Sequence, residues 1–296
     1  MSLLVVGSIA LDSVKTPFGK VDEALGGSAV YFSCASAFFN PARLVGVVGA
    51  DFPKKYIGPL HRRGVDLEGL KIDGGKTFRW KGEYGFDLNT AHTIYTHLNV
   101  FAEFKPEIPE EYRDSDNVFL ANIDPSLQMD VLRQIDDPRL IACDTMNYWI
   151  ENKPRELKKL LKNVHIFFAN DKEAREFSGE LNLLKAARYI FSCGPKIAII
   201  KKGEHGVLCV SKDFIFSYPT RNSYPPGLTQ GESRKAAWHR NTEGAFPDQL
   251  LLQGRSNQVV IGFPSGDVAI EPVVNRFDRL LERLPILRLQ FNHRHA

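Results

Sequence analysis

Cysteine is scarce in this sequence, and so is any excess of charge of one sign. The 296 residues hold four cysteines, Cys34, Cys143, Cys193 and Cys209, far apart and with no C-x-x-C. That spacing argues against a zinc site or a disulfide framework, and reduced thiols in a cytoplasmic protein fit better. Formal net charge is only +3, so nothing points to nucleic acid or a membrane surface as partner. The N-terminus is apolar but has no basic leader, and Asp12 interrupts it, which speaks against a secretory signal. Residues 24–42 carry no charge, yet they include Gly26, Gly27, Asn40 and Pro41. A glycine turn followed by a buried helix is expected there rather than a membrane span.

Familiar nucleotide motifs are also missing. A dinucleotide site needs G-x-G-x-x-G directly after the first strand. Here that turn reads Gly7-Ser8-Ile9-Ala10-Leu11-Asp12. There is no Walker loop and no H-E-x-x-H.

What is present is an ordinary globular composition, 43% apolar and 25% charged. The length allows one large α/β domain or about two smaller ones, with a core that needs no metal or disulfide. Leu3 to Gly7 is a short apolar run, as expected of a buried parallel strand. A helical stretch, Ala29 to Phe39, separates it from a second such strand, Leu44 to Gly49, and another helix is expected over 54–63. The middle of the chain differs. Residues 77–84 and 92–98 alternate polar with apolar or β-branched residues, as in a half-exposed antiparallel sheet. Strands at 118–122, 140–144, 166–170 and 196–200 then alternate with helices at 126–135, 154–162, 171–177 and 181–191. A hairpin at 206–216 closes the series. This rhythm predicts a mostly parallel sheet flanked by helices, interrupted by a small β-element. Ligands in such sheets bind beyond the carboxyl ends of the strands, where Asp12, Asp51, Asn122, Asp144 and Asn170 are candidates.

Five further segments carry a resemblance: Leu25-Gly26-Gly27-Ser28, Gly46-Val47-Val48-Gly49-Ala50-Asp51, Arg63-Gly64-Val65-Asp66, Asn170-Asp171-Lys172-Glu173 and Lys201-Lys202-Gly203-Glu204-His205-Gly206. In this order, after Gly7-Ser8-Ile9-Ala10-Leu11-Asp12, they resemble the ribokinase/PfkB carbohydrate kinases over residues 1 to about 219. The resemblance implies a ribokinase-like α/β fold with a β lid, near 12–20 and 77–104, closing over a sugar. It implies transfer of the ATP γ-phosphate to a sugar hydroxyl, with Mg²⁺. Asp12 would accept a pair of hydroxyls, and Gly26 and Gly27 would let backbone approach the ligand. Tyr31 stands where the family usually has Asn, leaving the acceptor open between a sugar and a nucleoside. Asn170 and Glu173, one helical turn apart, would serve the phosphates and metal. The plainer reading of that pair is a solvated helix start capped by Asn170. Lys201, Gly203 and Gly206 would face the nucleotide. His92 and His97 are expected on the lid face, and Phe101 and Phe104 in packing. In some relatives such a lid also makes a homodimer.

One part of the pattern is absent. The family motif D-[TP]-x-G-A-G-D supplies a glycine-started helix N-terminus for the transferred charge and a general base. Residues 224–234 instead read Tyr-Pro-Pro-Gly-Leu-Thr-Gln-Gly-Glu-Ser-Arg, and neither Glu232 nor Asp267 has the glycine cradle. Residues 1–219 hold 18 lysines and 10 arginines, whereas residues 220–296 hold one lysine and nine arginines. A shift of reading frame near residue 220 accounts for both changes. The alternatives are a non-catalytic binder of sugar and nucleotide, and a divergent active C-terminal part.

Overall fold

A computed structural model describes residues 2–86 and 91–218. The expectations placed on 220–296, including the frame change and the carboxylates Glu232 and Asp267, lie outside the described residues.

Along the chain the first elements are β1 (Leu3–Val6), β2 (Ala10–Thr16), β3 (Gly19–Gly26), α1 (Ser28–Ser36), β4 (Ala42–Gly49), α2 (Ile57–Arg62), β5 (Val65–Asp66) and β6 (Leu70–Asp73). Two strands follow, β7 (Phe78–Tyr84) and β8 (Ala91–His97). The remainder is β9 (Asn117–Leu120), α3 (Pro125–Leu132), β10 (Leu140–Asp144), α4 (Asn147–Asn152), α5 (Pro154–Leu161), β11 (Ile166–Asn170), α6 (Asp171–Ser178), α7 (Leu183–Ser192), β12 (Ile197–Lys201), β13 (Val207–Ser211) and β14 (Ile215–Tyr218).

The main sheet runs β14-β13-β12-β11-β10-β9-β1-β4-β5, with β6 also on β4. From β12 across to β4 every pairing is parallel, and β13 and β14 add an antiparallel edge. Central strands covered on both sides need apolar residues at consecutive positions, and Leu4, Val5 and Val6 are fully buried. Their alternating side chains enter two separate cores, Leu4 and Val6 one and Val5 the other. Burying each such side chain contributes roughly 1.5–3 kcal/mol.

A second sheet of four strands, β3-β2-β7-β8, forms the lid. Strands β2 and β7 are parallel at its centre, with β3 and β8 antiparallel outside them. The lid is tied to the body at the end of β4. There Asp51 accepts from the Thr77 N–H and hydroxyl, both at 2.8 Å, and pairs with Arg79 at 2.8 Å. Arg79 also pairs with Glu23 of β3 at 2.7 Å. Burial raises the Asp51 carboxyl, but the Thr77 bonds and Arg79 outweigh it and hold the group below its usual range.

Several expected boundaries shift. Asp12 lies within β2, not at a strand end, because the chain re-enters a strand three residues after β1. Gly26 ends β3 rather than forming a turn, and only Gly27 turns the chain. The lid contribution of residues 12–20 extends to a full hairpin, β2 and β3. The uncharged stretch 24–42 holds the end of β3, the nine-residue helix α1 and the start of β4. Among the described residues no helix is long and apolar enough to cross a membrane. Phe101 and Phe104 are buried and stack on each other, while His92 and His97 lie exposed on β8.

Candidate functional site

Two groups of the expected residues form in the fold, and Ser28 and Asp144 join them. The first group gathers where β3 turns into α1. The half-buried Asp12 carboxylate lies against the Gly26 backbone, so close that a Cβ at position 26 would stand 2.0 Å from Oδ2. Gly27 has φ +96, and a Cβ there would meet the Ser8 carbonyl oxygen at 2.3 Å. Ser8 is buried, and its hydroxyl accepts from the Ser28 N–H at 3.2 Å while its carbonyl accepts from the Ala29 N–H at 3.2 Å. The loop after β1 therefore serves as a seat for the start of α1. Tyr31 donates its hydroxyl to the Leu25 carbonyl at 3.4 Å, which ties it to the strand that ends in Gly26.

The second group lies at the carboxyl ends of β10, β11 and β12. Asn170 and Glu173 form a reciprocal cap on α6. The Glu173 N–H donates to Asn170 Oδ1 at 2.7 Å, and the Asn170 N–H donates to Glu173 Oε2 at 2.6 Å. The cap reading is therefore correct, but its solvated setting is not: Asn170 is 2% exposed and Glu173 6%. A carboxylate held this deep is costly to keep charged. Burial raises the Glu173 carboxyl, against the pull of Lys201 and the Asn170 N–H. Lys201 ends β12 directly opposite Asn170. After it the chain makes a tight turn in which Gly203 and Gly206 take φ of 54 and 82, and the Lys202 N–H donates to the Gly206 carbonyl at 2.7 Å. Glycine is required at 206, where ψ is −137, and favoured at 203.

Asp144, at the end of β10, bridges the groups. It is 8% exposed. The Ser28 hydroxyl donates to its Oδ1 at 3.5 Å, and that same hydroxyl accepts from the Asn122 N–H at 2.8 Å. Burial pushes the Asp144 carboxyl up to about 7, drawn back by Lys201 and raised further by Glu173. Two buried carboxyls and a lysine therefore share one electrostatic environment, continuous through Ser28 with the glycine elbow and Asp12. Sequence position marked Asp144 only as a strand-end candidate, and Ser28 stood in the Leu25-Gly26-Gly27-Ser28 segment with no role of its own. Their significance comes from residues more than 25 positions away. Among the other strand-end candidates, Asp51 is engaged at the lid junction. Asn122 is held by the Trp149 indole N–H at 2.9 Å and by its own amide on Met146 sulfur at 3.2 Å.

Among the described residues no set of three or more His, Cys, Asp or Glu could hold a metal unaided. Asp144 and Glu173 nevertheless suit Mg²⁺, which typically takes one or two carboxylates and leaves its other positions to phosphates and water.

Comparison with known proteins identifies the family and the fold. The chain is 28% identical over 218 residues to a cytidine kinase of Thermococcus kodakarensis, an alignment covering 72% of this chain and 77% of that one. Among solved structures, a Burkholderia thailandensis nucleoside kinase in complex with inosine matches at TM-score 0.62 and 16% identity, over 86% of this chain and 88% of that one. Ribokinase from Thermotoga maritima matches at TM-score 0.59 and 21% identity, over 85% and 89%. At such identities the structural likenesses establish the fold. Family membership rests on residues 4–223, which match the pfkB family carbohydrate kinases. The chain belongs to that family, kinases that transfer a phosphoryl group to an alcohol acceptor.

Proposed function

We propose that this chain carries the acceptor and nucleotide sites of an ATP-dependent kinase acting on a hydroxyl of a sugar or nucleoside. The observation that carries the reading is the continuity from Asp12 over Gly26 and Gly27, through Ser28, to Asp144, Glu173 and Lys201. Asp12 holds a pair of acceptor hydroxyls, since a carboxylate takes two such donors in charge-assisted bonds. Gly26 and Gly27 keep side chains out of the space beside it, and Tyr31 flanks them. Asn170, Lys201, Gly203 and Gly206 form the nucleotide side, with the lysine acting as a point charge on phosphate. Glu173, with Asp144, would hold Mg²⁺, leaving its other positions to phosphates and water. Bound there, Mg²⁺ would neutralise charge developing on the phosphates. The lid excludes water once the acceptor is in place, and its exposed Phe86 and Ile94 offer a surface for a homodimer.

Between the two acceptor classes, the likeness to a cytidine kinase favours a nucleoside. Residues 1–219 are the kinase domain in this reading, and 220–296 a segment read in another frame. The chain holds no G-A-G-D run, so it has neither the glycine cradle nor the general base of the family. The reading therefore assigns it ligand binding with little or no turnover. Acceptor-dependent ADP release from Mg-ATP tests this, together with resequencing across codons 210–235. Background release, and an adjacent frame that restores D-x-x-G-A-G-D, are expected. Brisk acceptor-dependent release from the chain as written would overturn the binding-only assignment.

A further inference from the structure

Next to Asp12 the lid carries an aromatic ring that the proposed chemistry does not use. Side chains alternate across a strand, so residues in register on neighbouring strands share a face. Asp12 is in register with Ala24 and Trp80, and Ala10 with Gly26 and Phe78. Asp12, Gly26 and Trp80 thus occupy one face of the lid. The other face carries Leu11, Leu25 and Arg79, the first two in the second core and the third on Asp51 and Glu23. Trp80 is one inter-strand step from Asp12, roughly 4.8 Å between backbones.

The indole is also held in a fixed plane. It lies forward along β7 over Gly82, where a Cβ would stand 2.1 Å from Cη2 and 2.4 Å from Cζ2. Any residue but glycine at 82 would displace it. Its Nε1–H donates to the Thr93 hydroxyl of β8 at 3.2 Å. It packs against the first core, and the side chain is half-buried. A rigid, part-exposed indole beside a carboxylate is a surface for a flat ring whose neighbouring group donates hydroxyls.

We propose that Trp80 is a specificity-determining residue: its indole supports the base of a nucleoside acceptor while Asp12 holds the ribose hydroxyls. The spacing suits a single nucleoside, in which the base is joined directly to the hydroxyl-bearing ring. A free sugar held at Asp12 carries no base to extend along the lid onto the indole. This inference rests on the acceptor reading given above for Asp12.

Calorimetric titration of the full chain with cytidine and with D-ribose tests it, using the parent, Trp80→Ala, Trp80→Phe and Asp12→Ala. Trp80→Ala should weaken cytidine binding by about tenfold or more and leave ribose binding unchanged, and Trp80→Phe should retain most of the cytidine affinity. Cytidine should also quench tryptophan fluorescence in the parent, and this change should disappear in Trp80→Phe. That readout stands even if the alanine variant does not fold. Equal weakening of both ligands in Trp80→Ala, or cytidine affinity that neither variant alters, overturns the proposal. If Asp12→Ala still abolishes binding in the second case, the acceptor reading survives and only the role of Trp80 falls. Failure of both ligands to bind the parent removes both.

Discussion

Two adjacent glycines show how much one β-carbon decides. A methyl group at 26 would collide with the Asp12 carboxylate, the mobile end of a side chain that can swing away. One at 27 would collide with the Ser8 backbone, at a φ of +96 that L-residues rarely adopt. Gly26→Ala should therefore keep the fold and lose acceptor affinity. Gly27→Ala should cost a few kcal/mol of stability. Denaturant midpoints and acceptor titrations on the two variants separate the effects; a Gly26→Ala protein that binds as well as its parent would show that the Asp12 position is not used. Neither outcome could be read from the dipeptide alone. Gly26 and Gly27 look alike in sequence, and only the strand that delivers one and the helix that begins at the other tell them apart.

At the scale of elements, the buried cap of α6 combines structure with chemistry in one carboxylate. Glu173→Gln leaves a side-chain oxygen to accept the Asn170 N–H, so the cap should persist. It removes the charge that would serve Mg²⁺. Mg-ATP affinity should fall about tenfold or more while the melting midpoint holds or rises, because an expensive buried charge has gone. Loss of stability in step with affinity would mean that Glu173 is only a cap. The strands that contain these residues were readable from the sequence because a parallel strand covered on both faces must be apolar along its covered length, as β1 is throughout and as β11 and β12 are up to their last residues, Asn170 and Lys201. Strand β3 was not. Its Gly-Lys-Val-Asp-Glu-Ala-Leu-Gly is largely exposed until Leu25, so no face imposes a period on it. Strand β5 and helix α4 escaped for want of length, spanning two and six residues, and β6, Leu-Lys-Ile-Asp, because it is exposed along most of its length. The alternation over 77–84 revealed a strand at β7 but not its register, and it is register that sets Trp80 beside Asp12.

Across the whole molecule, the proposed site draws on pieces distant in sequence: the lid at 10–26 and 78–84, the strand end at 144, and the turns at 170–173 and 201–206. Short motifs announced most of these pieces. Asp144 was one strand-end candidate among five, and its link to Ser28 emerged only when the sheet order placed β10 between β9 and β11 and brought the start of α1 to its end. The link between the two halves is the claim on which the functional reading depends, and it implies that the acceptor and nucleotide groups can be disabled separately. The direct test is a calorimetric titration of the full chain and its Asp12→Ala variant, first with cytidine and then with Mg-ATP. The parent should bind both. Asp12→Ala should lose acceptor affinity about thirtyfold or more, the cost of charge-assisted bonds, and keep its Mg-ATP affinity. Undiminished cytidine binding by Asp12→Ala, or a parent that binds neither ligand, would contradict the placement of the site.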